Sequence, residues 1–229
     1  MMGVSTRTVA SVKAVEKAAP ELLEKIASGK MSVHEAEKIV KTKHTRAAKT
    51  ESISANNKPL DDTIGKFSVL YVDPPWRYEH VETESRAIEN QYPTMALEDI
   101  MRLDVDKIAS DDCILFMWAT SPKLYEAMKV LEAWKFNYRT CAVWVKDKIG
   151  MGYYFRQRHE LLLVASRGSL PVPEPANRPD SVIEAKRTDH SRKPDCVYEL
   201  IEKMYPEHAK CELFARNTRD GWTGWGNQS

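Results

Sequence analysis

The residues best suited to chemistry are Asp73, Pro74, Pro75 and Trp76, which directly follow the apolar run FSVLYV at 67–72. A short run rich in β-branched and aromatic residues predicts a buried strand. In open α/β sheets, ligands bind at the carboxyl ends of the strands. An acid, two prolines and an indole therefore stand where a substrate is expected.

This motif suits the activation of an amino group on a nucleobase. Such a nitrogen is a poor nucleophile because its lone pair is delocalised into the ring, and two hydrogen-bond acceptors on its protons would oppose that delocalisation. The Asp73 carboxylate can supply one acceptor, and the Pro74 carbonyl, aimed by the fixed φ of the prolines, can supply the other. Trp76 offers a flat face for stacking the base. Methyl transfer from a sulfonium donor would then need mainly alignment and a nearby negative charge.

The surrounding elements predict an α/β body. From Phe67 onward, short apolar runs alternate with amphipathic helical patterns, which is typical of a parallel sheet with crossover helices. The patterns predict strands at 67–72, 113–119, 137–146, 160–166 and 210–215, and helices at 96–109, 121–134 and 194–205. Three stretches without periodicity, 77–95, 147–158 and 167–192, predict loops that bind or cover a ligand.

The chain organisation predicts one catalytic body with a small appendage. We expect a helical segment at 1–45, a polar linker at 46–66 and the body at 67–229. Residues 1–50 carry ten Lys or Arg against five Glu, whereas the remainder carries twenty-four against twenty-eight acidic residues. A basic appendage suits phosphate binding, and it equally suits a solvated helical face.

The spacing of apolar residues in the appendage predicts three short helices. Gly29 can end the second helix, and Ser32 with Glu35 forms a capping box for the third. The sequence VSTRTV…APELLEKIASGKMSVHEAEKIV resembles part of the helix-turn-helix of ParB-like partition proteins. The resemblance implies contacts to DNA from the start of the first helix, namely Ser5, Thr6, Arg7 and Thr8.

The composition excludes several classes of protein. The 229 residues are 42% hydrophobic and 29% charged, as in an ordinary globular protein. No apolar run approaches the ~18 residues needed to cross a bilayer, and the start lacks a secretory pattern, so we expect a cytoplasmic protein without a membrane partner. The four cysteines and six histidines show no metal-ligand spacing, so no metal cofactor is predicted.

Several motifs together make the chain similar to the MT-A family of adenine N6-methyltransferases. This family includes the catalytic subunit of the eukaryotic messenger-RNA adenine N6-methyltransferase and many bacterial and phage DNA enzymes, and the chain resembles a bacterial or phage member. The motifs are YVDPPWRY, QYPTM, FMWAT, VWVK, RHELLLVASRG, HSRKPDCVYELIE, ELFAR and GWTGWGNQ, spread over about residues 65 to 228. Their order, catalytic motif first and cofactor motif last, implies a Rossmann-like, circularly permuted methyltransferase sheet that uses S-adenosylmethionine.

The resemblance also implies roles for individual residues. Asp73 to Trp76 would hold the target base, Asp73 would also contact the cofactor, and Tyr92 would belong to a loop that closes over the base. Lys193 would reach the methionine carboxylate of the cofactor, since a lysine at a helix start opposes the helix dipole and favours an anion. The remaining cofactor contacts would be Arg216 and Asn217 at the ribose and Asn227 and Gln228 at the adenosine end.

Two weaker patterns leave alternatives open. The arginines Arg156 and Arg158, together with Arg167, could track a phosphate backbone or simply be solvated. His159 and Glu160 open an apolar run, which favours a structural role at the mouth of a strand over a catalytic pair.

The leading hypothesis is therefore methylation of adenine N6 in DNA, with nucleic acid as the partner. The same residues would serve adenine in RNA. Methylation of the cytosine amino group ranks lower, because enzymes of that kind more often carry Ser-Pro-Pro. An inactive DNA-binding regulator is a further alternative, although Asp73, Lys193 and Asn227 are all retained. Since family members pair, a homodimer or a partner subunit is also expected.

Overall fold

The structure is a computed structural model that describes residues 6–41, 60–78, 94–150, 152, 154–187, 192–217 and 219–226. The predicted contacts of Tyr92, Asn227 and Gln228 lie outside the described residues. The chain divides into two compact units. Among the described residues, no helix combines the length and the apolar character that spanning a membrane requires.

The first unit contains three described helices: α1 at Thr6–Ala18, α2 at Glu21–Ala27 and α3 at 33–41. They enclose a small apolar core of Val15, Ala19, Leu22, Ala36 and Val40. Gly29 follows α2 with a φ of 70°, a left-handed conformation that glycine adopts without steric cost. The three helices and the glycine stop agree with the sequence prediction.

The predicted capping box begins α3. The Glu35 amide donates to Ser32 Oγ at 3.2 Å, and the Ser32 amide donates to the Glu35 carboxylate at 2.8 Å. We expect Ser32→Ala to lower the stability of the helical unit by about 1 kcal/mol, because α3 loses its side-chain cap. Faster amide hydrogen exchange at the start of α3 would show this loss. Ser28→Ala, which removes an exposed hydroxyl that donates to the Lys25 carbonyl, is the matched control and should leave α3 unchanged.

The second unit is built on a seven-stranded sheet with the order β5-β3-β4-β2-β1-β6-β7. The strands are β1 Phe67–Val72, β2 Ala109–Ala119, β3 Asn137–Val145, β4 His159–Arg167, β5 Val182–Glu184, β6 Lys210–Leu213 and β7 Trp222–Trp225. The helices are α4 Leu97–Met101, α5 Leu124–Ala133 and α6 Cys196–Met204. This architecture confirms the predicted Rossmann-like α/β class. The patterns missed β5 and β7, which are only three and four residues long.

The sheet is not parallel throughout, which corrects the simple expectation of parallel strands. Strand β1 lies between β2 and β6 and is parallel to both. Strand β4, however, runs antiparallel to both of its neighbours, β2 and β3. The reason is the connection from β3 to β4, a direct reversal in which the Lys146 amide donates to the Arg158 carbonyl. The described residues of this connection form no crossover helix.

One face of the sheet packs against α6 in an aromatic core. Tyr71, Trp118 and Trp144 from three strands meet Val197 and Ile201 of the helix. The Trp118 indole donates to the Tyr71 hydroxyl at 2.6 Å, so the polar atoms of both buried rings are satisfied. This core fixes the carboxyl ends of β1 and β2 relative to the start of α6.

Candidate active site

Asp73 lies at the carboxyl edge of the sheet, immediately after β1. Its side chain is 16% exposed, so a ligand can reach it although most of its surface is covered. The neighbouring β2 and β6 end at the same edge. From β1 the sheet extends to β2 on one side and to β6 on the other. Open α/β sheets bind ligands where the strand order reverses in this way.

The two prolines and Trp76 form a tight turn beyond Asp73. The Trp76 amide donates to the Pro74 carbonyl at 2.8 Å, and the Met95 amide donates to the Pro75 carbonyl at 2.9 Å. The Trp76 side chain is 6% exposed, and its indole donates to the Trp118 carbonyl at 3.1 Å. The indole thus stabilises the turn, and most of its surface is covered. Its stacking on a base stays a prediction. The Pro74 carbonyl keeps a second lone pair for a substrate proton.

A chain of ion pairs extends from Asp73. Lys193 Nζ lies 2.9 Å from Asp73 Oδ1 and 3.3 Å from Glu160 Oε2, so one cation joins two carboxylates. Lys146 Nζ contacts the other Glu160 oxygen at 2.5 Å, and Arg216 Nη2 lies 4.0 Å from Asp73 Oδ2. Burial raises the pKa of Glu160, but the charges of Lys193 and Lys146 outweigh it and hold that pKa below its ordinary value. Glu160 is therefore ionised at neutral pH.

A third acid, Glu212 of β6, has a different protonation behaviour from Glu160. Burial raises its pKa to about 7, against the lowering effect of a hydrogen bond that the Tyr198 hydroxyl donates at 2.9 Å. The negative charge of Asp73 raises this pKa further, while Arg216 and Arg219 lower it. Near neutral pH the site therefore contains a carboxyl group that exists in both protonation states.

The protonation of Glu212 should make folding stability depend on pH. Its folded pKa of about 7 lies above its ordinary value of 4.5, so the folded state binds the proton more tightly. The contribution is fully present below about pH 4.5 and is lost as pH rises through 7, by up to about 3 kcal/mol. We expect Glu212→Gln, which stays neutral, to remove this part of the pH dependence in urea unfolding between pH 5 and pH 8. An unchanged difference between the two pH values would contradict the assignment.

A cavity of about 260 Å³ opens beside Asp73. It brings together four of the predicted cofactor residues, Asp73, Lys193, Arg216 and Asn217. The other lining residues are Tyr71, Arg192, Asp195, Tyr198, Glu212, Phe214 and Arg219. The wall contains cations for a carboxylate and acidic oxygens for an ammonium or hydroxyl group. This donor set fits an amino acid joined to a nucleoside.

The end of β7 packs against the segment after β6 through a glycine. A Cβ on Gly226 would lie 2.6 Å from both the amide nitrogen and the carbonyl oxygen of Ala215, so the backbone there leaves no room for a side chain. The Ala215 amide also donates to the Trp225 carbonyl at 3.0 Å. This contact holds the segment before Asn227 against the segment that carries Arg216.

Three arginines from the sequence analysis lie elsewhere. Arg156 and Arg158 are exposed on the connection between β3 and β4 and do not line the cavity. Arg167 is mostly buried at the end of β4, where its guanidinium pairs with Asp106 and donates to the carbonyls of Ser110 and Ala109. The suggested phosphate contact of Arg167 is therefore wrong, because its donors hold the fold together.

The sequence patterns did not indicate that Glu160, Lys146, Glu212 or Tyr198 belong to the site. The adjacent residues His159 and Glu160 were noticed as a pair, but their side chains contact different partners. The His159 ring lies 3.0 Å from the Ser121 hydroxyl, whereas Glu160 joins the ion pairs of Lys193. A charged residue at the mouth of an apolar strand is a signal for a paired or functional acid.

Comparison with known proteins agrees with this geometry. Residues 67–228 match the MT-A70 family. The chain is 36% identical over 191 residues to the type II methyltransferase M.MunI of Mycoplasma sp, covering 73% of this chain and 82% of that protein.

Eukaryotic relatives match over a smaller part of their length. A putative N(6)-adenosine-methyltransferase MT-A70-like protein of Medicago truncatula is 32% identical over 177 residues, which is 73% of this chain and 27% of the relative. The N(6)-adenosine-methyltransferase catalytic subunit METTL3 of Homo sapiens is 30% identical over 177 residues, covering 72% of this chain and 28% of the relative. The chain thus spans about a quarter of these relatives.

Proposed function

Because the chain belongs to the MT-A70 family, we propose that it transfers a methyl group from S-adenosylmethionine to N6 of adenine in DNA. The observation that carries this proposal is the intact Asp73-Pro74-Pro75 turn beside a cavity lined by Lys193 and Arg216. The sulfonium of S-adenosylmethionine supplies an electrophilic methyl group.

The chain's own residues would prepare the adenine nitrogen. Asp73 and the Pro74 carbonyl accept hydrogen bonds from its two protons, which returns electron density to the nitrogen. Trp76, held by the Trp118 carbonyl, keeps both acceptors in place. The arrangement is set before the base arrives, so little reorganisation is needed at the moment of transfer.

The cavity residues would hold the cofactor. Lys193 at the start of α6 and Arg216 after β6 offer positive charge to the methionine carboxylate and hydrogen bonds to the ribose. Asn217 lies in the same wall. Asn227 and Gln228 follow the Gly226 contact and are proposed for the adenosine end.

DNA is the preferred substrate because a relative that the chain matches over 82% of its length is a type II methyltransferase. The basic helical unit agrees with this choice, and its contacts through Ser5 to Thr8 stay a prediction. RNA is the second candidate, because several relatives are N(6)-adenosine-methyltransferases. The site chemistry would be the same on either nucleic acid.

The test is transfer of labelled methyl from S-adenosylmethionine to duplex DNA, single-stranded DNA and RNA, followed by mass spectrometry of the nucleosides. N6-methyladenine in DNA supports the proposal, and the same product only in RNA supports the second candidate. No product on any substrate, with no binding of the cofactor in calorimetry, would instead favour an inactive regulator.

A further inference from the structure

The connection between β3 and β4, here called the finger, runs from Lys146 to Arg158, and its described residues are 146–150, 152 and 154–158. The Lys146 amide donates to the Arg158 carbonyl at 2.8 Å, and the Gly150 amide donates to the Gln157 carbonyl at 2.6 Å. These two bonds continue the β3–β4 pairing beyond the sheet. The described part of the finger is therefore held at its base by hydrogen bonds, and Tyr154 and Phe155 lie beyond these bonds, at its tip.

The tip presents two aromatic side chains to solvent. Tyr154 is 98% exposed and Phe155 is 80% exposed. Gly152 allows this turn, because a Cβ at that position would collide with the Phe155 carbonyl oxygen. Two adjacent exposed aromatic rings form a local apolar patch, and such patches mark interaction sites.

The base of the finger carries positive charge in fixed positions. Arg156 Nε donates to the Gly150 carbonyl and Arg158 Nε donates to the Lys146 carbonyl, both at 2.9 Å. These bonds orient the two exposed guanidinium groups. Exposed Lys148 adds a third positive charge, and Asp147 is the finger's one acid. Aromatic rings flanked by cations match a nucleic acid, whose bases offer flat faces and whose backbone is anionic.

The finger begins at the candidate active site. Its first residue, Lys146, pairs with Glu160, which shares Lys193 with Asp73. An extended chain advances about 3.3 Å per residue, so Tyr154 lies within about 20 Å of Glu160 along the strand. That reach covers the bases close to a target adenine.

We propose that Tyr154 and Phe155 stack on bases of the DNA strand next to the target adenine, while Arg156 and Arg158 contact its phosphates. This inference rests on the proposed function and names how the substrate is held. Stacking would compensate for the base pairing and stacking that are lost when the adenine leaves the duplex.

The test is fluorescence anisotropy with a fluorescein-labelled mixed-sequence duplex and its single strand, using the full chain. We expect Tyr154→Ala and Phe155→Ala each to weaken binding about tenfold, and Tyr154→Phe to retain binding, since it keeps the ring. Tyr125→Ala, which removes a 71% exposed tyrosine of α5, is the matched control and should bind like the unmodified protein. Calorimetry with S-adenosylmethionine should be unchanged in every variant.

The outcomes separate the finger from the reaction. Unchanged DNA affinity in the alanine variants, or a change in sedimentation showing that the rings join two copies of the chain, would overturn the inference. If the unmodified protein methylates DNA while the variants bind it normally, only the finger inference fails. If the rings are needed for binding but no methyladenine forms, the finger stands and the proposed reaction fails.

Discussion

Asp73→Asn is expected to lower the kcat of methyl transfer at least about a hundredfold while the protein stays folded. The amide has nearly the shape of the carboxylate but lacks the charge, and its nitrogen cannot accept a hydrogen bond from the adenine amino group. The change also weakens the contact with Lys193, which lies 2.9 Å away. The measurement is N6-methyladenine formed from S-adenosylmethionine on the preferred substrate.

The control for this variant is Asp104→Asn, a change at an exposed aspartate that pairs with Lys107. It should leave the rate and the melting temperature unchanged. An Asp73→Asn protein with a normal melting temperature and more than a tenth of the original rate would contradict the proposed activation of the amino nitrogen.

Lys193→Met is expected to lower the affinity for S-adenosylmethionine at least tenfold and to destabilise the fold by about 3 kcal/mol. Without the ammonium, Asp73 and Glu160 remain mostly buried and lose the cation that joins them. Calorimetry measures the first effect and urea unfolding the second.

A double variant separates the two effects. Adding Asp73→Asn to Lys193→Met removes the carboxylate that loses its nearest cation, whereas Glu160 still pairs with Lys146, so stability should return in part while cofactor affinity stays low. Lys107→Met, at an exposed lysine, is the control for loss of a positive charge. Recovery of cofactor binding together with stability would show that Lys193 acts only through the fold.

The main elements followed from the sequence because their side chains carry regular patterns. The apolar run at 67–72 predicted both ends of β1 correctly. The end of this strand then predicted that Asp73 lies at the carboxyl edge of the sheet. Strand β7 was not predicted because its sequence, WTGW, is short and contains a glycine, which weakens the strand pattern.

The position of Glu160 could not be predicted because it depends on strand direction. In a parallel sheet, the first residues of a strand lie at the edge opposite Asp73. Because β4 is antiparallel to β2, with Leu161 beside Ala119, its first residues lie at the same edge as Asp73. A local pattern specifies that a strand forms, but its direction depends on the connection and on distant partners.

The position of β1 between β2 and β6 also bears on how the protein is made. On the ribosome, β1 emerges early and can pair with β2 soon afterwards, whereas Val69 meets its partner Lys210 only after most of the chain has been synthesised. Pairing over such a separation closes a long loop and is intrinsically slow. Asp73 should therefore lie beside an open strand edge until β6 arrives with Glu212 and Arg216. The cavity beside Asp73 thus forms only in the last stage of folding.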